Sequence, residues 1–180
     1  MSLQTWRETL INSQVDGAAL NTFTTAVTIL PPAARLTLPS NFFSQIGKSI
    51  KVGAQGRIST FTSGTLTLAV NLGTIAVPII VFTSQAITTV VSQTNATFDL
   101  EVTLTARAIG SGTTANLMGV GRLSSAIVTS NNLLLPATAP AVGTGFDSTI
   151  TNVVDLFAGW SVSNAANAIQ VHQYFVESLN

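Results

Sequence analysis

The chain has 180 residues, no cysteine and only 8% charged side chains, with seven Lys and Arg balancing seven Asp and Glu. Roughly a quarter of the residues of a typical soluble domain are charged, so this composition gives no basic surface for nucleic acid. The missing cysteine excludes disulfides, thiolate metal sites and a cysteine nucleophile, and the length predicts one domain with a substantial core.

The first predicted element is a short N-terminal helix or arm within residues 1–19. Leu3, Trp6, Leu10 and Ile11 fall on one face at helical spacing, with a serine before them that can cap and an Asp-Gly turn after them. A helix this short is marginal unless it docks on something. Two alternatives are open: the segment packs on its own domain, or it is an arm that reaches a neighbouring subunit.

From residue 20 onward the pattern is that of β-strands. A threonine-rich strand over residues 23–30 ends at two prolines, which cannot donate to a β-ladder. The run over residues 48–61 alternates in polarity, and the Ser-Gly turn after it predicts a hairpin with a strand over residues 65–72. Residues 79–93 are predicted to form a loose region.

The cleanest alternation of the chain lies in residues 97–109. Apolar side chains occupy one parity, while acidic, basic and threonine side chains occupy the other. A Gly-Ser-Gly turn then leads to a returning strand over residues 116–128, which predicts a second hairpin. A loop of small residues with two prolines follows at residues 136–145.

The last thirty residues contain two strand-like runs. Residues 153–160 are apolar on both parities, which predicts a central strand with Phe157 and Trp160 buried between two sheets. Residues 169–176 alternate instead, so that one side faces water or a partner. The core side carries Ile169, Val171 and Phe175, and the other carries Gln170, His172 and Tyr174. The Ser-Asn-Ala-Ala-Asn segment between the runs predicts a turn and an antiparallel pair.

The whole pattern predicts an all-β fold: an antiparallel β-sandwich of jelly-roll type with about eight strands, formed as one domain by residues 20–180. The first residues lack the basic start and apolar centre of a signal peptide. The most apolar window, residues 66–82, is interrupted by Asn, Gly and Pro, so we expect no membrane helix.

Three segments of the chain resemble small virion proteins of tailed bacteriophages. They are Thr5-Trp6-Arg7-Glu8-Thr9, Lys51-Val52 to Gly56-Arg57-Ile58-Ser59, and the ending from Phe146-Asp147-Ser148-Thr149 through Trp160-Ser161 to His172-Gln173-Tyr174 with Glu177. The resemblance implies a jelly-roll subunit on a phage head or tail, in threefold groups. Its residues are packing and turn residues, and it carries over no catalytic set.

The sequence offers little for catalysis. His172 is the single histidine, and no Gly-x-Ser-x-Gly motif places a serine for it, so a surface or interface hydrogen bond is favoured over a catalytic base. Asp99 and Glu101 are roughly 7 Å apart by strand rise, a separation that paired glycosidase carboxylates also show. Ion pairs with arginines on neighbouring strands are the favoured interpretation. We expect no enzyme activity, no cofactor and no metal site.

Association with partners is the expected role. The polarity of this chain comes mainly from 26 Thr and 17 Ser, because charged side chains are few. A surface with few charges does little to keep proteins apart in solution, so partners are expected to cover part of it. The predicted interface consists of Leu3, Trp6, Leu10 and Ile11 together with His172 and Tyr174. We expect neither nucleic acid nor a membrane as a partner.

Two classes of function stay open. The leading one is a structural virion protein, made in the bacterial cytoplasm, that decorates or cements the head as a homo-oligomer, a trimer by resemblance, on the major capsid protein or another virion protein. The alternative is a receptor- or glycan-binding module of a tail fibre, spike or baseplate, with loops such as residues 136–145 presented to the ligand. An exposed aromatic platform would favour the alternative.

Overall fold

The computed structural model describes residues 7–13 and 15–179, which form two antiparallel β-sheets packed face to face. The strands in chain order are β1 Glu8–Asn12, β2 Leu20–Asn21, β3 Val27–Thr28, β4 Leu36–Leu38, β5 Ser49–Thr60, β6 Thr65–Gly73, β7 Pro78–Thr83, β8 Ile87–Thr88, β9 Gln93–Ala108, β10 Asn116–Ser125, β11 Asn132–Leu135, β12 Asn152–Trp160 and β13 Ala168–Ser178. Within these described ranges the helical structure is one 3-10 turn, Pro32–Ala34. The predicted all-β sandwich is confirmed.

The order of the strands shows how the chain wraps. The larger sheet runs β1-β13-β5-β9-β10-β11, with β2 on β13, and the smaller runs β3-β12-β6-β7, with β4 on β12 and β8 on β6. Strand β5 pairs with β13 in one sheet, while their chain neighbours β6 and β12 pair in the other. The chain thus passes from one sheet to the other at two neighbouring places, between β5 and β6 and between β12 and β13, as in a jelly roll.

The first predicted hairpin and the predicted antiparallel pair of the last thirty residues are wrong for one reason. The chain changes sheet between β5 and β6 and again between β12 and β13, so neither turn joins paired strands. A local turn signal predicts a reversal of the chain, but distant packing decides which sheet the next strand joins. The hairpin of β9 and β10 is confirmed, and the region predicted to be loose contains β7 and β8.

The core lies between the sheets and follows the predicted alternation of β9. Phe98, Leu100, Val102, Leu104 and Ala106 are each at most 1% exposed. They belong to one continuous cluster with apolar side chains of the smaller sheet. Full burial of a large aliphatic or aromatic side chain contributes about 1.5–3 kcal/mol, so this strand alone supplies a substantial part of the stability.

A β-bulge at His172 changes the predicted faces of β13. The pairing of β13 with β5 shifts by one residue between Val171 and Gln173. Beyond the bulge Tyr174 points inward and is fully buried, whereas Phe175 is half-buried on the outer face. The prediction that Tyr174 faces a partner and Phe175 the core is therefore wrong. Side chains of a strand alternate between its two faces, so one extra residue moves all the following side chains to the opposite face.

The N-terminal helix is also wrong over the residues that the structure describes. Glu8–Asn12 form β1, which pairs with β13 at the edge of the larger sheet. Leu10 and Ile11 pack partly buried against the core of their own domain, because the edge of β13 offers hydrogen bonds and apolar surface that a short isolated helix lacks. Leu3 and Trp6 lie outside the described residues, and the boundary at residue 19 stays a prediction.

Trp160 is 3% exposed in the core, but Phe157 is half-buried, so the expected burial holds for Trp160 alone. The Trp160→Ala variant should lose about 3–5 kcal/mol of unfolding free energy, because it leaves a large cavity. Trp160→Phe should lose much less, since the indole Nε1–H has no hydrogen-bond partner.

Urea denaturation followed by circular dichroism measures these differences, with Phe157→Ala as the control on the opposite face of β12. Equal midpoints for the wild type and Trp160→Ala would contradict the assigned packing of this strand.

Candidate functional site

The outer face of the larger sheet carries polar side chains in rows that cross five strands. The register aligns Gln173, Gln55, Asp99, Ser124 and Asn132 in one row, and Phe175, Gly53, Glu101, Arg122 and Leu134 in the next. Neighbours in such rows are close enough to interact across the strands. The face is therefore one connected polar surface with a single aromatic ring in the second row.

Glu101 lies between two cations on this face. Its Oε1 is 2.5 Å from Lys51 Nζ, and its Oε2 is 3.1 Å from Arg122 Nη2. The hydrogen bond from Lys51, with the charges of Lys51 and Arg122, lowers the pKa of the Glu101 carboxyl against the opposing effect of burial. The predicted cross-strand ion pairing is confirmed for this residue.

The same contacts disfavour a glycosidase. A general acid of that class needs a raised pKa, but the pKa of Glu101 is lowered. Its neighbour Asp99 accepts a hydrogen bond from Gln55 Nε2 at 3.0 Å. Both carboxylates thus hold neighbouring strands together.

The ring of Phe175 covers Gly53 in the middle of the face. A Cβ atom at Gly53 would lie 2.1 Å from the ring Cζ, so glycine is needed for this close approach. Lys51 Nζ lies 5.9 Å from the ring centroid. A shallow groove of about 380 Å³ runs beside the ring and is lined mainly by polar side chains of β1, β5 and β13.

A buried ion pair attaches the segment before β4 to the smaller sheet. Arg35 Nε lies 3.1 Å from Asp155 Oδ2, without the alignment of a hydrogen bond, and Thr28 donates to Asp155 Oδ1 at 2.6 Å. Burial raises the pKa of the Asp155 carboxyl, while the Thr28 hydrogen bond and the charge of Arg35 oppose that rise. Burial and the charge of Asp155 raise the pKa of Tyr174, which stays a neutral phenol.

The structure does not bring the predicted interface residues together. Leu10 and Ile11 lie in β1 against their own core, which matches the first of the two alternatives for the N-terminal segment. Tyr174 is buried and is corrected as an interface residue. His172 is half-exposed, with Nδ1 3.1 Å from Asp16 Oδ2, and its role at an interface stays a prediction.

Five exposed aliphatic side chains lie at one end of the sandwich, which we call the aliphatic end. They are Ile46, Ile75, Val77, Ile109 and Ile150, each 39–69% exposed. Hydrogen bonds join the loops that carry them. Gly47 N donates to Ala106 O at 2.8 Å and Ser148 N to Gly110 O at 2.9 Å, while Gly73 N donates to Asn152 Oδ1 at 3.1 Å.

Sequence reasoning missed the aliphatic end because its residues lie in turns without periodicity. A signal for this surface is present in the sequence, because isoleucine and valine stand among the Gly, Ser and Thr residues of predicted turns. The opposite end of the sandwich presents an aromatic side chain, Phe61, which is 61% exposed, together with the exposed valines Val91 and Val162. The two ends therefore offer different chemistry.

The loop at residues 136–145 is attached to both sheets in its second half. Gly143 N donates to Leu117 O at 2.9 Å, and Thr144 N donates to Ile80 O at 3.0 Å. A Cβ atom on Gly143 would lie 1.9 Å from Val81 O, so the backbone passes directly over β7. This part of the loop closes the gap between β7 and β10.

The described residues form neither a group of metal ligands nor a membrane-spanning helix. In residues 7–13 and 15–179, no group of three histidine or acidic side chains could hold a metal ion. The same part of the chain contains no helix that is long and apolar enough to span a bilayer.

Comparisons with known proteins do not assign a family. No protein-family model and no curated protein matches the chain. Among solved structures, the chain is similar to the CBM2 module of the evolved Dit of Lactobacillus casei BL23 phage J-1, with 9% identity, 99% of each chain covered and a TM-score of 0.41. Because both the identity and the TM-score are low, this likeness assigns no function.

Removal of the Glu101 charge should change how stability depends on pH. Since the pKa of Glu101 is lowered from 4.5 in the folded protein, the ionised carboxylate stabilises the fold above that value. This contribution is lost as pH falls through the lowered pKa. When the pH is lowered from about 6 to about 3, the unfolding free energy of the Glu101→Gln variant should therefore fall less than that of the wild type.

Urea midpoints across this pH range provide the measurement, and Glu8→Gln, at an exposed acid of β1, is the matched control. Parallel pH curves for Glu101→Gln and the wild type would show that the ion pairs of Glu101 contribute no stability.

Proposed function

We propose that the chain is a structural protein of a tailed-bacteriophage virion, which decorates or cements the head surface as a homo-oligomer. The observation that carries this proposal is the aliphatic end, on a chain with only 8% charged residues. A cluster of exposed apolar side chains on a soluble domain marks a protein contact surface. The sequence resemblance to small virion proteins supports a major capsid protein or another virion protein as the partner.

The size of the aliphatic end favours an oligomer. About half of each side chain is exposed, so burial of all five would contribute about 4–8 kcal/mol. The loss of translational and rotational freedom on association costs about 4–15 kcal/mol. One copy would therefore bind weakly, whereas linked copies would bind the particle strongly through avidity.

The contact between subunits is proposed at the β11 edge of the larger sheet. Leu134 of β11 lies beside Arg122 in the second row of the outer face, and Val120 lies two residues before Arg122 on β10. Both Leu134 and Val120 are exposed. Closed cyclic symmetry hides the same patch on every copy without forming filaments. The number three comes from the resemblance to virion proteins that form threefold groups.

A receptor- or glycan-binding module of a tail fibre, spike or baseplate is the second candidate. The exposed ring of Phe61 favours it, since an exposed aromatic side chain is the feature expected of such a module. Because Phe61 and the aliphatic end lie at opposite ends of the sandwich, attachment through one end leaves the other free. Both candidates have the virion as their location.

Polar substitutions at the aliphatic end should weaken attachment to the particle. The double variant Ile75→Ser, Val77→Ser removes apolar surface without touching the core, so folding should persist while affinity for phage particles falls about tenfold or more. Co-sedimentation with particles that lack the protein measures binding. The control is Val91→Ser with Val162→Ser, two exposed aliphatic positions at the other end. Equal binding by both double variants would refute attachment through the aliphatic end.

The proposed subunit contact has its own test. Light scattering of the wild-type chain should give the mass of a trimer, and Leu134→Asn should shift the mass toward that of a monomer, because a polar amide would replace an apolar contact. Ile80→Asn, an exposed substitution on the smaller sheet, is the control. A wild-type monomer at all accessible concentrations would rule out the oligomer.

A further inference from the structure

We propose that the groove beside Phe61 is a binding site for a neutral saccharide. The groove has a volume of about 410 Å³ and opens where the end of β5, the start of β9 and the loop before β13 meet. Its lining includes Phe61, Ser92, Gln93, Thr94, Ala165 and Ala166. This volume lies in the range of small-molecule sites. The proposal rests on the second candidate function above, the glycan-binding module, and names its site and its class of ligand.

The chemistry of the lining selects the ligand. None of the described residues that line the groove is charged, so nothing there compensates for a charged ligand. The ring of Phe61 offers a flat apolar surface to solvent, while serine, threonine and glutamine side chains offer hydrogen bonds. A sugar ring combines a C–H face with a rim of hydroxyl groups, which is the matching combination.

A buried amide holds Phe61 in place. The backbone N–H of Phe61 donates to Asn167 Oδ1 at 2.8 Å, and Asn167 is only 2% exposed. The loop that carries Ala165 and Ala166 is closed on itself, because Ala166 N donates to Asn164 Oδ1 at 2.8 Å and Asn167 N donates to Asn164 O at 3.0 Å. Two walls of the groove are thus fixed relative to each other, which lowers the entropic cost of binding.

The third wall has an unusual backbone. Ser92 and Asn95, on either side of Gln93 and Thr94, have φ angles of 58° and 50°. Such left-handed conformations are uncommon for residues other than glycine. Asn95 N also donates to Ser59 Oγ at 3.0 Å, which ties this turn to β5. The polar wall is therefore held in position before any ligand arrives.

A protein contact at Phe61 is the competing explanation. An apolar partner would cover the ring, but it would also take the hydroxyl groups of Ser92 and Thr94, which line the groove, out of water without supplying hydrogen bonds, at a cost of about 1–3 kcal/mol each. A saccharide satisfies these groups with its own hydroxyls. The polar lining thus favours the sugar.

The test is chemical-shift mapping on the 15N-labelled full chain. The probes are glucose, galactose, rhamnose, N-acetylglucosamine and their disaccharides, with galacturonic acid as the charged comparison. At least one neutral sugar should shift the amide signals of Phe61 and of residues 92–94 and 165–168. Phe61→Ala should raise its Kd about tenfold, whereas Phe61→Tyr should stay within about twofold.

Val162→Ala is the control, because Val162 is exposed at the same end but does not line the groove, and its Kd should equal that of the wild type. The proposal is overturned if no neutral sugar shifts these signals, if Phe61→Ala binds as tightly as the wild type, or if galacturonic acid binds best. Because Phe61→Ala leaves the aliphatic end intact, its particle binding separates a failure of this site from a failure of attachment.

Discussion

The fold depends on the packing of two strand pairs that cross between the sheets. Strand β5 lies between β13 and β9 in one sheet, while β6 lies beside β12 in the other. Their inner side chains form one apolar cluster, and this burial drives the two halves of the chain together. The polar rows lie on the outer face of this sandwich, and the aliphatic end and the Phe61 groove lie at its two ends.

The bulge in β13 decides which of its side chains point into the core and which lie on the outer face. It turns Tyr174 inward, where burial raises the pKa of the phenol, and turns Phe175 outward onto Gly53. The outer face therefore carries the ring of Phe175, while the core keeps the ring of Tyr174. The ion pairs of Glu101 with Lys51 and Arg122 link β5, β9 and β10 across the outer face.

Sequence patterns predicted the strands with regular alternation, because burial on one face imposes a period of two. The inner side chains of β9 are the best example. The patterns failed where a distant strand decided the outcome: β1 is a strand only because the edge of β13 is there, and the turn after β5 leads to the other sheet. The candidate surfaces escaped prediction for a related reason. The aliphatic end and the Phe61 groove are assembled from turns that are distant in sequence, and only the folded chain brings them together.

The resulting domain has two different ends, one aliphatic and one with an exposed aromatic ring. On a virion, burial of the first leaves the second turned toward solvent. Cryo-electron microscopy of the phage particle tests this orientation most directly. The account predicts density for the chain on the head surface, as a trimer, with Ile75 and Val77 against the shell and Phe61 facing outward. Density with Phe61 against the shell, or particles that lack the protein altogether, would contradict it.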